Sequence, residues 1–144
     1  MTSIEPLTTF SDFPLYWLGR TYNGLDLTQI HTQAESPHTV MILTYGYGVC
    51  TSRGLDEHCT GTPILLIVEP ACGVPRIHYQ RSPDDYAWTP DVSIRVEGNA
   101  PPARQDFLRD LALVNVSKFP DVKVVDSITY DTQFRNRCGD AAAE

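Results

Sequence analysis

Lysine is almost missing from this chain: Lys118 and Lys123 are its only two, and arginine supplies the rest of the 11 basic residues. No basic run occurs anywhere, and 18 acidic residues leave a formal charge of −7 at pH 7. Nucleic-acid binders need a cationic surface to displace counterions from phosphates, so that class is excluded. The same reasoning argues against docking on an anionic membrane. What the charge supplies is solubility. Long apolar runs are missing too, none approaching the about 18 residues that a membrane-crossing helix requires. Met1 to Phe13 lack the basic start and apolar stretch of a signal peptide. A cytosolic protein, or one whose leader or anchor precedes this chain, fits that start.

Catalytic signatures are equally scarce. There is no Gly-x-Ser-x-Gly elbow and no Cys-x-x-Cys pair. Gly46-x-Gly48 lacks the third glycine of a dinucleotide fingerprint and leads into a cysteine-bearing loop instead of a helix. No internal repeat exists, and the longest low-complexity tract is Ala141-Ala142-Ala143.

What the chain does have is the make-up of one globular domain. Its 144 residues are 42% hydrophobic and 20% charged, enough to bury a core without a metal. Eleven prolines and nine glycines, spread throughout, favour short strands and turns over long helices. The expected organisation is a flexible lead-in over 1–12, a single domain over 13–137 and a frayed tail over 138–144. Phe13 to Gly19 is an aromatic patch suited to core packing, and Tyr22-Asn23-Gly24 carries the Asn-Gly signal of a hairpin turn. Alternation predicts a strand over about 25–32, with a turn at Ala34 to Pro37. Thr39 to Tyr47 and Thr62 to Glu69 read as adjacent central strands, apolar on both faces. A short strand is expected at Arg76 to Tyr79, a turn at Ser82 to Tyr86, a half-buried strand at Val92 to Gly98 and a last strand at Val122 to Ile128. Pro102 opens a helical spacing that runs down to Lys118, with a strand over Leu111 to Val116 as the competing reading. The fold class is therefore α+β and β-rich: one twisted, mainly antiparallel sheet or small sandwich with a single covering helix near 102–118.

Three of the four cysteines, Cys50, Cys59 and Cys72, fall close together in sequence. A Cys50–Cys59 bridge would close a short, turn-rich loop and remove roughly 2–3 kcal/mol of unfolded-state freedom. Cys59–Cys72 is the runner-up, and four cysteines permit three full pairings that sequence cannot separate. Zinc held by Cys50, His58, Cys59 and Cys72 has the right ligand number but the wrong spacing. Buried free thiols in a reducing cytosol are the third explanation.

The same residues carry a resemblance. Phe13 to Gly19, Tyr45-Gly46-x-Gly48-x-Cys50, Cys59 with Pro63-Ile64, and Pro70-Ala71-Cys72 resemble a pattern in a family of uncharacterised bacterial proteins. It covers about residues 13–80. His58 stands where that pattern has glycine, and Tyr47-Gly48 looks like an insertion. The resemblance implies a structural cysteine arrangement, often in envelope-facing proteins, and no assigned activity.

A nucleophile could be assembled on paper from Cys50 or Cys72 with His31, His38 or His78, as in any domain with four histidines. Asp84-Asp85 and Asp56-Glu57 are sequence neighbours that normally point apart into solvent. Tyr79, Tyr86 and Trp88 flank the Asp84-Asp85 turn, and together these five residues form the candidate surface for a protein partner, with core packing as the competing use of the rings. The expected function is a non-catalytic accessory or interaction domain of a bacterial envelope-facing protein or larger assembly, cross-linked by a disulfide and without cofactor, metal or catalytic residues. An extracytoplasmic setting is preferred to the cytoplasm. The alternatives are a small hydrolase or metal-dependent enzyme using the Cys/His cluster or Asp84 and Asp85, and a phage or virion structural component.

Overall fold

The computed structural model describes residues 3–35, 38–46, 49–53, 56–60, 63–98 and 109–139. A six-stranded antiparallel sheet dominates them. Its strands are β2 (Thr21–Tyr22), β3 (Leu25–Glu35), β4 (His38–Tyr45), β7 (Ile64–Pro70), β8 (Tyr86–Trp88) and β9 (Val92–Gly98), in the spatial order β2-β3-β4-β7-β9-β8. Two small pairs accompany it. β1 (Tyr16–Trp17) pairs with β10 (Ala112–Leu113), and β5 (Val49–Arg53) pairs with β6 (Asp56–Thr60). The α+β, β-rich class expected from sequence is the one observed.

Local chemistry accounts for the first half. Asn23 and Gly24 both take positive φ, 51° and 78°, the two-residue hairpin geometry that Asn-Gly tolerates best, and β2 pairs with β3 across it. Ser36 and Pro37, in the expected turn after β3, lie outside the described residues. β4 and β7 are neighbours as expected, joined through the β5–β6 pair. Each has one fully buried face. Met41, Leu43 and Tyr45 on β4 line up with Ile64, Leu66 and Val68 on β7 and with Ile94 and Val96 on β9. The opposite face is mixed: Val40 and Ile67 are buried, whereas Ile42, Thr44 and Leu65 are half-buried, so the expectation of burial on both faces holds in part.

The covered face packs against the N-terminal segment. Residues 1–12 are not simply a lead-in: α1 (Glu5–Thr8) drives Leu7 into the core beside Leu15 and Leu43, all fully buried. Asn115 ties this segment down. Its Oδ1 accepts from Leu15 N–H at 2.9 Å, and its Nδ2 donates to the carbonyls of Phe10 and Phe13 at 3.0 and 3.1 Å. Tyr45 does the same for the next turn, accepting from Leu18 N–H at 3.0 Å and donating to the Gly19 carbonyl at 2.8 Å.

Three expectations in the second half are overturned. Arg76 to Tyr79 is not a strand but the start of α2 (Arg76–Arg81), where Pro75 sets the entry and Tyr79 turns inward while Ile77 stays exposed. The helix near 102–118 does not reach its expected end. Arg109 and Asp110 are helical, but Ala112–Leu113 is β10 and Asn115 opens a turn to Lys118 and Phe119; residues 99–108 lie outside the described residues. Val122 to Ile128 forms a single bridge, Val125 to Trp88, before α3 (Ser127–Gln133) begins. Asp126 caps α3, its carboxylate accepting from Thr129 N–H at 2.8 Å. Cys138, the first residue of the expected tail, is bonded to Cys72, and residues 140–144 lie outside the described residues.

Candidate functional site

The second, smaller core is aromatic and lies on the other face of the sheet. β8 pairs with β9 so that Trp88 stands beside Ser93 and Tyr86 beside Arg95, which places both rings on the face away from Leu66 and Ile94. Tyr130 of α3 stacks on Trp88 with centroids 4.0 Å apart and planes at 14°, and Tyr86 stacks at 5.6 Å and 17°. Tyr79 of α2 meets the Trp88 ring edge-on at 4.8 Å. Such stacked and edge-to-face pairs add about 0.5–1.5 kcal/mol each beyond area burial. The indole N–H is satisfied as well. It donates to Ser127 Oγ at 2.8 Å, and Ser127 in turn donates to the Pro83 carbonyl at 2.9 Å.

Polar groups close this box over the sheet. Tyr79 O–H donates to Asp131 Oδ1 at 2.7 Å, and Arg76 Nε lies 3.2 Å from the same oxygen. Burial, reinforced by the bond to Asp131, pushes the Tyr79 phenol up to about 12. Burial likewise raises Tyr86 and Tyr130. Arg135, only 3% exposed, donates through one terminal nitrogen to the Val74 carbonyl at 2.8 Å and sits 5.8 Å from the Tyr79 ring centroid. The Cys72–Cys138 disulfide closes the end of the box, joining the turn after β7 to the turn after α3 across a sequence separation of 66. Tyr130 Oη is 3.4 Å from Cys138 Sγ.

This arrangement changes the expected partner surface. Tyr79, Tyr86 and Trp88 are 2%, 5% and 0% exposed, so their ring faces are used inside the protein and cannot stack on a ligand. Asp84 and Asp85 are exposed on the short 3₁₀ turn Pro83–Asp85 at the rim of the box. Beside them runs a shallow groove of about 310 Å³ lined by His78, Arg81, Asp85, Tyr86, Arg95 and Glu97, in which Arg95 pairs with Glu97 at 3.3 Å. The lining mixes both signs of charge.

The cysteine cluster is divided. Cys72 is bonded to Cys138, which removes the Cys59–Cys72 pairing, the four-ligand zinc set with Cys50, His58 and Cys59, and any role for Cys72 as a free nucleophile. Cys50 and Cys59 are register partners in the β5–β6 ladder. His31 is exposed on β3 and His78 on α2, on separate elements. Among the described residues no three His, Cys, Asp or Glu side chains gather as a metal site.

The residues that sequence reasoning missed are Tyr130, Ser127, Arg135 and Cys138. The Asp126-Ser127-Ile128-Thr129 capping pattern was the available signal for α3. Nothing local marks Arg135. No protein-family model, no curated protein and no solved structure matches this chain.

Proposed function

We propose that the protein is a non-catalytic interaction domain, stapled by disulfides and working in an oxidising, extracytoplasmic setting such as the outer side of a cell envelope. The Cys72–Cys138 bond carries this reading. Disulfides persist in oxidising compartments and are rare where glutathione and thioredoxin keep thiols reduced. A second bond, Cys50–Cys59, belongs to the same proposal. Residues directly opposite in an antiparallel ladder have Cα atoms roughly 4.5–5.5 Å apart, inside the span a disulfide bridges. The partner-contacting parts are the β5–β6 pair, which among the described residues forms a two-stranded sheet of its own, and the Asp84-Asp85 rim.

Two measurements test this together. Thiol trapping in the cells that make the protein, with a mass-tagging maleimide, should leave all four cysteines unlabelled until reductant is added. Labelling of native protein without reductant would refute the compartment. A photo-crosslinking residue at Asp84 or Glu57 should give one discrete adduct with a partner, whereas one at Ser117 should not. No adduct from either contact position would refute the interaction surface.

A further inference from the structure

We propose that the Cys72–Cys138 bond is a redox latch: a dithiol that reduces it frees α3 from the aromatic box while the six-stranded sheet stays folded. Three observations meet at this bond. The first is separability. Ala71, Val74, Tyr79, Tyr86, Trp88 and Tyr130 form a buried cluster of their own, distinct from the one that packs Leu7, Leu15 and Leu43. α3 is held by groups of that second cluster and its rim: the Trp88 ring, the Pro83 carbonyl through Ser127, and the Tyr79 phenol through Asp131. It can leave without breaking a ladder bond of the sheet, the situation in which one part of a protein opens by itself.

The second observation is a cost that the bond offsets. Arg135 is buried, and its Nη1 donates to the Val74 carbonyl at 2.8 Å. Nη2 is also buried and has no hydrogen-bond partner among the described residues. A buried donor left unpaired has given up hydration without return, so solvent draws Arg135 outward once the tie at Cys138, three residues on, is cut.

The third is reactivity. Cys72 is exposed and Cys138 half-buried, so an incoming thiolate meets the Cys72 sulfur and Cys138 is the leaving group. Tyr130 O–H, 3.4 Å from Cys138 Sγ, is placed to donate to the departing thiolate. Burial raises the Tyr130 phenol while the charges of Arg135 and Arg137 pull it back, which sets both guanidiniums within electrostatic reach of that sulfur. In the exchange, one thiolate of the dithiol bonds to Cys72 Sγ and the Cys72–Cys138 bond breaks, its electron pair and a solvent proton going to Cys138. The second thiol of the reductant then loses its proton and attacks its own bonded sulfur, expelling Cys72 as a thiolate that is protonated in turn. The protein gains two thiols and the reductant becomes a disulfide. This inference stands on the second core alone; thiol trapping and crosslinking test the compartment and the contact surface separately.

The test uses purified, oxidised protein carrying Trp17→Phe, which leaves Trp88 as the single indole. It is titrated with dithiothreitol without denaturant, and alkylation mapping reports which cysteines are reduced. Cys72 and Cys138 should become labelled, Trp88 emission should shift to longer wavelength, and far-ultraviolet dichroism should keep its sheet signal. In the reduced protein the amides of Tyr130 and Phe134, both hydrogen-bonded within or at the end of α3, should exchange at least about tenfold faster than those of β4 and β7. Glutathione should leave its mixed disulfide on Cys72 and not on Cys138, and Arg137→Gln should slow reduction about threefold. The C50S/C59S variant should respond as the parent does, and C72S/C138S should show the released state with no reductant. Should C72S/C138S fail to fold, the mapped titration of the parent still decides the matter. A bond that resists dithiothreitol until urea unfolds the chain, α3 amides that quicken only in step with β4 and β7, or unshifted Trp88 emission after reduction would overturn the proposal.

Discussion

Removing the Asn115 side chain should be among the most damaging single changes this chain can suffer outside its apolar core. Asn115 is fully buried, and its amide serves three backbone groups from a segment about a hundred residues away in sequence. Asn115→Ala leaves Leu15 N–H and the Phe13 carbonyl without partners in a dry environment and strips the part-buried Phe10 carbonyl as well. An unsatisfied buried group costs about 1–3 kcal/mol, so the expected loss is about 3–5 kcal/mol. For a chain of this size that corresponds to a fall in Tm of about 8–15 °C. Thermal and urea unfolding followed by circular dichroism would measure it.

The neighbours provide the controls. Asn115-Val116-Ser117 matches an N-glycosylation sequon, but an amide buried and bonded on both sides is closed to modification once folded. Ser117→Ala destroys the sequon and leaves the amide network intact, and Val116 is 69% exposed, so Ser117→Ala and Val116→Ala should each stay within about 0.5 kcal/mol of wild type. Asn115→Asp keeps the acceptor for Leu15 but sets a carboxylate against two carbonyl oxygens. It should be at least as unstable as the alanine variant at pH 7 and recover in part as acid protonates the new group. A loss below 1 kcal/mol for Asn115→Ala would refute the claim that this amide fastens the N-terminal segment to the core.

Two further outcomes follow from the second core. Replacing Cys72 and Cys138 by serine frees a loop of 66 residues' separation, for which chain entropy gives roughly 4 kcal/mol; equilibrium unfolding should show a loss of about 2–4 kcal/mol, and an unchanged midpoint would contradict it. Tyr79 is raised to about 12, chiefly by burial, and Tyr16, Tyr45, Tyr86 and Tyr130 are raised for the same leading reason. A phenol whose folded pKa exceeds its unfolded value of about 10 contributes stability below pH 10 that is lost as pH climbs towards 12. Tyrosinate absorbance should therefore rise together with loss of far-ultraviolet dichroism, and full ionisation near pH 10 with the fold intact would contradict that coupling.

How much of this was legible in the sequence depends on the range over which each element is decided. Asn23-Gly24 specifies its hairpin within two residues, because only a left-handed pair of φ values closes that turn. The apolar runs in β4 and β7 specify buried strands within five or six residues, and their adjacency follows because the chain between them doubles back as the β5–β6 pair. Arg76 to Tyr79 reads as a strand because α2 spans only six residues. Over so short a stretch, the apolar pair Ile77 and Tyr79 at a spacing of two suggests one face of a strand, whereas in the helix the two lie on opposite sides, Ile77 exposed and Tyr79 buried. The apolar spacing from Phe107 to Val114 looked helical, yet the backbone after Asp110 follows Leu15 into the β1–β10 pair, because Asn115 satisfies three groups there that a helix would leave exposed.

The candidate site was the least legible part for the same reason carried further. Tyr79, Tyr86 and Trp88 were found as a group, but their neighbours in sequence are Asp84 and Asp85, which suggested a surface. The partner that buries them, Tyr130, arrives from a helix about forty residues later and is held by Ser127, Asp131 and Cys138. A ring is a contact surface or a core depending on whether something covers it, and covering is a tertiary event with no local signature. The cysteines obeyed that rule too. Cys50 and Cys59 sit opposite each other within one hairpin, a relation that short spacing predicts, whereas Cys72 found Cys138 in a stretch whose composition suggested fraying. The disulfide is thus part of the covering: it holds in place the helix that turns three apparent contact residues into a core.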